Sequence, residues 1–192
     1  LEQMAAGAPA LAGLPLLYLS EGLAGRPDLL ERTEGTPSRF GPYAYRVVEI
    51  KSARHLGTAD LIQAAFYNDL LGKIQGAELP TVTLINRDGQ AFEHAMEELR
   101  PRLKEALEGT RAILAGQVVP EPIHGGCPWP WRAFADGQAA ARQDLSLLPG
   151  VGKATRETLR AAGLRTLGDI AAAGVTALAG LPRVTAGKAR AL

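Results

Sequence analysis

Cysteine is almost absent from this chain of 192 residues; Cys127 stands alone. An internal disulfide is therefore excluded, and the single thiol suits a cytoplasmic protein. Long apolar runs are also missing, so no membrane span is expected. The opening Leu1-Glu2-Gln3 has no basic n-region of the kind a signal peptide carries. A charge imbalance is lacking too. With 21 basic and 20 acidic residues the formal net charge is +1, so the whole chain does not announce a nucleic-acid partner, and any basic patch must be local. There is no initiator methionine, and residues 187–192 stop inside a helix-like run. The chain reads as a fragment of a longer protein, cut at both ends. What it does contain is a hydrophobic content of 46%, enough for a core, in a length that suits one large domain or a medium and a small one.

The patterning predicts strands at residues 14–23 and 28–32, joined by a turn at Gly25-Arg26-Pro27. Residues 33–42 are rich in Gly, Pro, Ser and Thr and read as a loop. Residues 43–51 (YAYRVVEIK) make the strongest strand, with β-branched and aromatic residues before a charged end. A helix capped by Thr58 is predicted over residues 58–73, with Leu61, Ile62, Ala65, Phe66 and Leu70 as its apolar stripe. A β-hairpin turning at Asp88-Gly89 follows. The next helix spans residues 96–114, with a break or restart expected at Pro101. The Pro/Gly/Trp segment at residues 119–131 reads as a linker or wrapped loop. Beyond Gln138 the composition shifts to Ala, Leu, Gly and Arg in short helical pieces. The expected organisation is an α/β first domain over residues 1–137, a mixed sheet flanked by helices, then a small all-α domain over residues 138–192.

The chemistry concentrates at Pro27-Asp28 and Val47-Val48-Glu49-Ile50-Lys51. Carboxylates are hard oxygen ligands for Mg²⁺ or Mn²⁺. Glu49 and Lys51 lie two apart on one strand and share a face. Ile50 between them is expected to point into the core, with its backbone carbonyl free to turn to the metal. Asp28, Glu49 and the Ile50 carbonyl would then surround one ion, with Lys51 beside it as a point charge for a phosphate oxygen or for the attacking water. This is a minimal kit for metal-assisted phosphodiester hydrolysis. Each half read alone has a blander meaning: a Glu-x-Lys at a strand end is often a solvated pair, and Pro-Asp is a common turn.

Together the two pieces resemble the PD-(D/E)xK nuclease superfamily, and its RecB-like branch in particular. That branch carries a Gln-x-x-x-Tyr on the helix after the lysine strand, and here Gln63-Ala64-Ala65-Phe66-Tyr67 occupies that place. Residues i and i+4 present one face. The resemblance covers roughly residues 14 to 150 and is nearest to bacterial RecB-family nucleases in which Pro-Asp-Leu-Leu-Glu-Arg precedes a Tyr-x-Tyr strand. It implies a restriction-endonuclease-like fold, a Mg²⁺ or Mn²⁺ cofactor, and catalytic roles for Asp28, Glu49, Lys51, Gln63 and Tyr67. Two departures stand out. The superfamily's additional helical acid is represented only by Glu2 and Glu21, so that residue is expected upstream. The four cysteines of cluster-bearing relatives are reduced to Cys127, so no iron–sulfur cluster is expected, and Trp129 and Trp131 are expected to pack the corresponding loop.

Further on, Leu147-Leu148-Pro149-Gly150-Val151-Gly152-Lys153-Ala154-Thr155 predicts a tight turn between short helices. The N–H groups of Val151 and Gly152 at a helix start suit a phosphate oxygen, with Lys153, Thr155 and Arg156 nearby and Gly163 as the C-cap. Residues 144–192 resemble the helix-hairpin-helix DNA-binding family, with Gly150, Val151, Gly152, Lys153, Thr155 and Arg156 as contacts. Residues 178–185 look like a second copy in which Arg183 and Thr185 replace the glycines. Such hairpins hold single-stranded, duplex or flapped DNA by its backbone, though some serve only in packing or protein contacts. The expected function is a metal-dependent deoxyribonuclease acting in DNA repair. The alternative is a nuclease-like DNA-binding or scaffold protein that no longer cuts.

Overall fold

A computed structural model describes residues 1–192, which divide into two compact units, Leu1–Gln117 and Val118–Leu192. The division falls ahead of the expected boundary at residue 137. Of the two expectations for the 119–131 segment, linker or wrapped loop, the second agrees with its contacts, since it is tied down within the second unit. His124 N–H donates to Ser146 Oγ at 2.9 Å, Gly125 N–H donates to Asp136 Oδ1 at 2.8 Å, and Arg142 donates to the Pro122 carbonyl. Trp129 and Trp131 do not pack this loop; they are 87% and 65% exposed.

The first unit is a mixed α/β structure. Its five-stranded sheet has the order β1-β4-β5-β6-β7. These strands are β1 (Ala10–Ala12), β4 (Leu29–Ser38), β5 (Gly41–Ile50), β6 (Thr81–Ile85) and β7 (Ala91–Ala95). A separate antiparallel pair, β2 (Leu16–Tyr18) and β3 (Leu23–Gly25), takes the place of the single strand expected at 14–23. The predicted loop at 33–42 is instead the hairpin that joins β4 to β5, since continuous pairing from Leu29↔Val48 to Glu34↔Tyr43 outweighs the local turn composition. An irregularity between Glu34 and Ser38 absorbs Gly35 and Pro37.

Only β5 and β6 run parallel, and the crossover between them is α2 (Thr58–Gln75). Gly57, not Thr58, is the N-cap, and Asp60 Oδ2 accepts from the Gly57 N–H at 2.9 Å. Helix α2 covers one face of β5. That face carries Tyr43, Tyr45 and Val47, which are buried with Leu70, Leu71 and Ile74 of α2. The neighbouring cluster joins Ala64 and Ala65 of α2 to Val82 and Leu84 of β6 and to Met96, Leu99 and Leu103 of α3 (Met96–Leu114). Helix α3 runs unbroken through Pro101. The proline lies early in the helix, so its missing donor removes one bond near an end whose donors are already partly unpaired.

The second unit is helical, with α4 (Arg132–Ala141), α5 (Lys153–Ala161), α6 (Leu167–Ala179) and α7 (Ala186–Ala191). Its own core contains Leu145, Val151, Leu159, Ile170, Leu178 and Val184. Helix α5 ends at Ala161 with Ala162, not Gly163, as its C-cap, and Gly163 follows as the left-handed residue. With φ +85° there, Gly163 N–H donates to the Arg160 carbonyl and Leu164 N–H to the Leu159 carbonyl, the paired bonds of a Schellman closure. Gly174, at φ 71° and ψ 155°, divides α6 into two stretches. No helix of the chain is long and apolar enough to cross a membrane.

Candidate active site and nucleic-acid interface

Strand alternation decides which carboxylates meet. Glu49 follows Tyr43, Tyr45 and Val47 on the face beneath α2, so it is 2% exposed. Ile50 takes the opposite face and is 55% exposed. This overturns its expected place in the core: Ala44 and Val48 of the same face are buried, but Ile50 is the last residue of the strand and lies beyond that cover.

Asp28 immediately precedes β4 and is locked to the end of β5 from both sides. Its backbone N–H donates to Glu49 Oε1 at 3.0 Å, and its Oδ2 accepts from the Ile50 N–H at 2.8 Å. The Glu49 carboxylate therefore holds the backbone of Asp28, and the Asp28 carboxylate holds that of Ile50. Lys51 Nζ lies 3.0 Å from Glu49 Oε2 and donates to Gln63 Oε1 at 2.7 Å. Gln63 Nε2 in turn donates to Tyr67 Oη at 2.9 Å. The side chains of Glu49, Lys51, Gln63 and Tyr67 thus form one hydrogen-bonded chain from the end of β5 to α2, and Asp28 joins it through its backbone N–H.

Burial raises the pKa of Glu49 above its ordinary 4.5; the Asp28 N–H and the Lys51 ammonium act in the opposite direction and do not cancel it. A buried carboxylate with a raised pKa is a frequent mark of a functional site. Asp28 and Gln63, by contrast, are exposed, so the chain of contacts runs from a dry interior to an open rim.

One contributor was not legible in the sequence. A Cβ on Gly25 would stand 2.7 Å from the Tyr67 ring, so glycine there lets the edge of the phenol ring come close to the backbone three residues before Asp28. The signal was present as a Gly-Arg-Pro turn, but only the fold reveals what approaches it. Neither acidic candidate for the additional helical acid joins the site. Glu21 is held by Lys73 at 2.8 Å and Arg111 at 3.1 Å, and Glu2 is exposed in the short helix α1 (Glu2–Ala5).

The chemistry of the donors tests whether a cation suits the site. Asp28 and Glu49 supply hard oxygens, and no group of three or more His, Cys, Asp or Glu side chains converges in the chain. Two carboxylates fit Mg²⁺ or Mn²⁺, which are commonly held by one or two carboxylates together with water and substrate phosphates.

In the second unit the turn between Leu148 and Lys153 is built as predicted, with two corrections. Val151 N–H donates to the Leu148 carbonyl at 3.2 Å, so it is spent inside the turn. The unpaired donors are those of Gly152, Lys153 and Ala154 at the start of α5. Thr155 points inward, is 7% exposed, and accepts from Lys188 Nζ at 2.9 Å, which takes it away from any ligand outside. Gly150 at φ +71° makes the turn possible. Lys153 is exposed beside Glu157, and Arg156 reaches back to the Val151 carbonyl at 3.5 Å.

The second hairpin repeats this backbone. Val184 N–H donates to Leu181 O at 3.2 Å, Val184 is buried like Val151, and Arg183 takes φ +65° where the first copy has Gly150. Thr185 replaces Gly152 as N-cap and accepts from the Lys188 N–H. The near-neutral whole conceals an uneven split. Residues 118–192 carry nine basic and five acidic side chains, a net of +4, whereas residues 1–117 carry twelve and fifteen, a net of −3.

Residues 142–192 match the family model of SAM-like helix-hairpin-helix tandems. A helix-hairpin-helix domain suggests DNA binding, and the doubled hairpin geometry and the positive charge agree with that. No curated protein matches the chain.

Proposed function

We propose that the chain is a metal-dependent DNA nuclease of the RecB-like kind, with a helix-hairpin-helix module that holds the substrate without reading its sequence. The observation that carries this reading is the continuous contact of Asp28, Glu49, Lys51, Gln63 and Tyr67 at an open rim. Asp28 and Glu49, with the Ile50 carbonyl, would hold Mg²⁺ or Mn²⁺. When bound, the ion supplies a Lewis acid for the phosphate and a water of lowered pKa.

The rest is done by the chain. Glu49 draws Lys51 into place, and the ammonium neutralises charge on a phosphate oxygen or fixes the water that attacks it. Gln63 holds the same ammonium from the helix side, which limits its rotamers. Tyr67 keeps Gln63 in its orientation and presents a phenol to the nucleic-acid backbone. In the second unit, the Gly152, Lys153 and Ala154 N–H groups at the α5 N-terminus donate to a phosphate, with the Lys153 side chain beside them.

Incubation with single-stranded, duplex and flapped DNA in Mg²⁺ or Mn²⁺ tests the reading. Cleavage that stops with EDTA and returns with metal supports it, and intact DNA throughout removes it. A second reading is a DNA-binding scaffold that keeps the nuclease fold without cutting. It is favoured by one observation, that no third acidic group joins Asp28 and Glu49. Titration with Mn²⁺ separates the two, since a scaffold has no need of a cation at Asp28 and Glu49.

A further inference from the structure

Every aromatic side chain of the second unit falls within six residues, at Trp129, Trp131 and Phe134. The core of that unit uses none of them. It is filled by aliphatic side chains such as Leu145, Leu159 and Leu178. The three rings stand in water instead, with Phe134 62% exposed beside the two tryptophans. Exposed apolar clusters of this kind mark binding surfaces. Neither the carboxylate site nor the hairpin turns of the proposed function use this one.

The rings are carried on a fixed backbone. Gly126 N–H donates to the Ile123 carbonyl at 3.1 Å, Trp131 N–H to the Pro128 carbonyl at 3.0 Å, and Ala135 N–H to the Trp131 carbonyl at 3.0 Å, which opens α4. Ala135 and Ala139 are buried and turn the inner side of α4 into the unit. Trp131 and Phe134 are three apart and lie side by side on the helix surface. The bond from His124 N–H to Ser146 Oγ fastens the same segment just ahead of the first hairpin. The charge around the rings is positive. Arg132 is exposed between Trp131 and Phe134, and residues 122–135 include no acidic side chain. Asp136 comes next and is engaged by His124 Nδ1 at 3.0 Å and by the Gly125 N–H.

We propose that Trp129, Trp131 and Phe134 form a stacking platform for unpaired bases, so that the second unit holds single-stranded DNA by its bases as well as by its phosphates. The proposal rests on the reading that this unit binds DNA and is independent of the nuclease reading. Exposed rings interleaved with a guanidinium match the alternation of bases and phosphates along a single strand. Base–aromatic stacking tolerates any sequence, because every base has a flat face. A duplex keeps its bases stacked on one another along its length and offers the rings nothing comparable. An aliphatic protein surface pressed on the same rings would strip water from Arg132 without pairing it.

Trp129 and Trp131 are the two tryptophans of the chain, so the protein's own emission reads the platform. The full chain is titrated in EDTA, which keeps the DNA whole, with a thymidine oligonucleotide and separately with a duplex, and binding is followed by fluorescence anisotropy. The single strand is expected to quench tryptophan emission as it binds, and the duplex to bind with little quenching. Trp129→Leu, Trp131→Leu and Phe134→Leu are each expected to weaken single-strand binding about tenfold and to leave duplex binding unchanged, while Trp131→Phe keeps most of the single-strand affinity. Single-strand binding without quenching, or leucine variants that bind as tightly as the parent, would overturn the platform and leave the hairpins' hold on phosphate standing. Equal losses on both DNAs mark a structural role and overturn it as well. A chain that binds neither DNA loses the DNA-binding reading and the platform together.

Discussion

Glu49 and Asp144 are both buried carboxylates, and their surroundings push them in opposite directions. Glu49 is raised above 4.5 because burial outweighs the Asp28 N–H and Lys51. Between 4.5 and its raised value the folded state binds more protons than the unfolded one, so the stability of the first unit falls as pH rises through that window. Glu49→Gln is therefore expected to raise the melting temperature of the metal-free protein at pH 7.5 and to bring no gain at pH 4, as read by thermal melts across pH. Burial also pushes Asp144 up, but the Ser146 bonds and the Arg160 guanidinium together hold it below 3.8. Its contribution is present above 3.8 and disappears as pH falls through the lowered value. Asp144→Asn is expected to cost the second unit about 2 kcal/mol near neutrality, measured by urea unfolding, and to cost little in strong acid. Lys51 is a third case. Its Nζ is shared between Glu49 and Gln63. Lys51→Ala is expected to lower the cleavage rate by roughly 10²-fold or more while fluorescence anisotropy shows DNA binding unchanged. Equal cleavage by the variant would remove its assigned role.

At the scale of elements, β5 and α2 carry both the fold and the site. Strand β6 pairs with β5 only at Val48, Glu49 and Ile50, which leaves the backbone of Tyr45 without a strand on that side. The Gln75 side chain, 1% exposed, replaces one. Its Oε1 accepts from Tyr45 N–H at 2.8 Å, and its Nε2 donates to the Tyr45 carbonyl at 3.0 Å. Gln75→Ala would leave that donor and acceptor buried and unpaired, at an expected cost of about 3 kcal/mol, visible as an earlier denaturation midpoint for the first unit. This device explains in part what the sequence could and could not disclose. Residues 43–51 and 58–73 were legible because period-2 and period-3.6 patterns are local. The convergence of Asp28, Glu49, Lys51, Gln63 and Tyr67 was legible too, since they stand at the ends of two strands and on one helix. The 33–38 segment was not, because its extension comes from pairing with Ala44, Tyr43 and Gly41 rather than from its own Gly and Pro. The exposure of Ile50 was not, because alternation assigns a face without saying where along the strand its cover ends. Val151 and Thr155 were misread for a related reason: a turn motif names its residues, but only the folded hairpin shows which donors it has already used.

The whole molecule joins two units with separate cores and opposite net charge. A negatively charged unit that cuts a polyanion pays for each encounter in repulsion, and a positively charged partner on the same chain offsets it by raising the local concentration of substrate. The two roles are therefore expected to separate when the chain is divided between Gln117 and Val118. Residues 118–192 alone should fold and bind DNA, with an affinity that drops steeply as salt is added, because binding through phosphates releases counterions. Lys153→Ala in that piece should lower the salt slope by about one. Under the proposed nuclease reading, residues 1–117 alone should keep the metal-dependent turnover at saturating DNA while KM rises, since that reading assigns the chemistry to Asp28, Glu49 and Lys51 and the grip to the second unit. Kinetics on one oligonucleotide, with the first unit and the intact chain side by side, read both parameters. An unchanged KM would show that the hairpin unit does not hold the substrate for the first, and salt-insensitive binding by residues 118–192 would assign its hairpins to a protein partner instead.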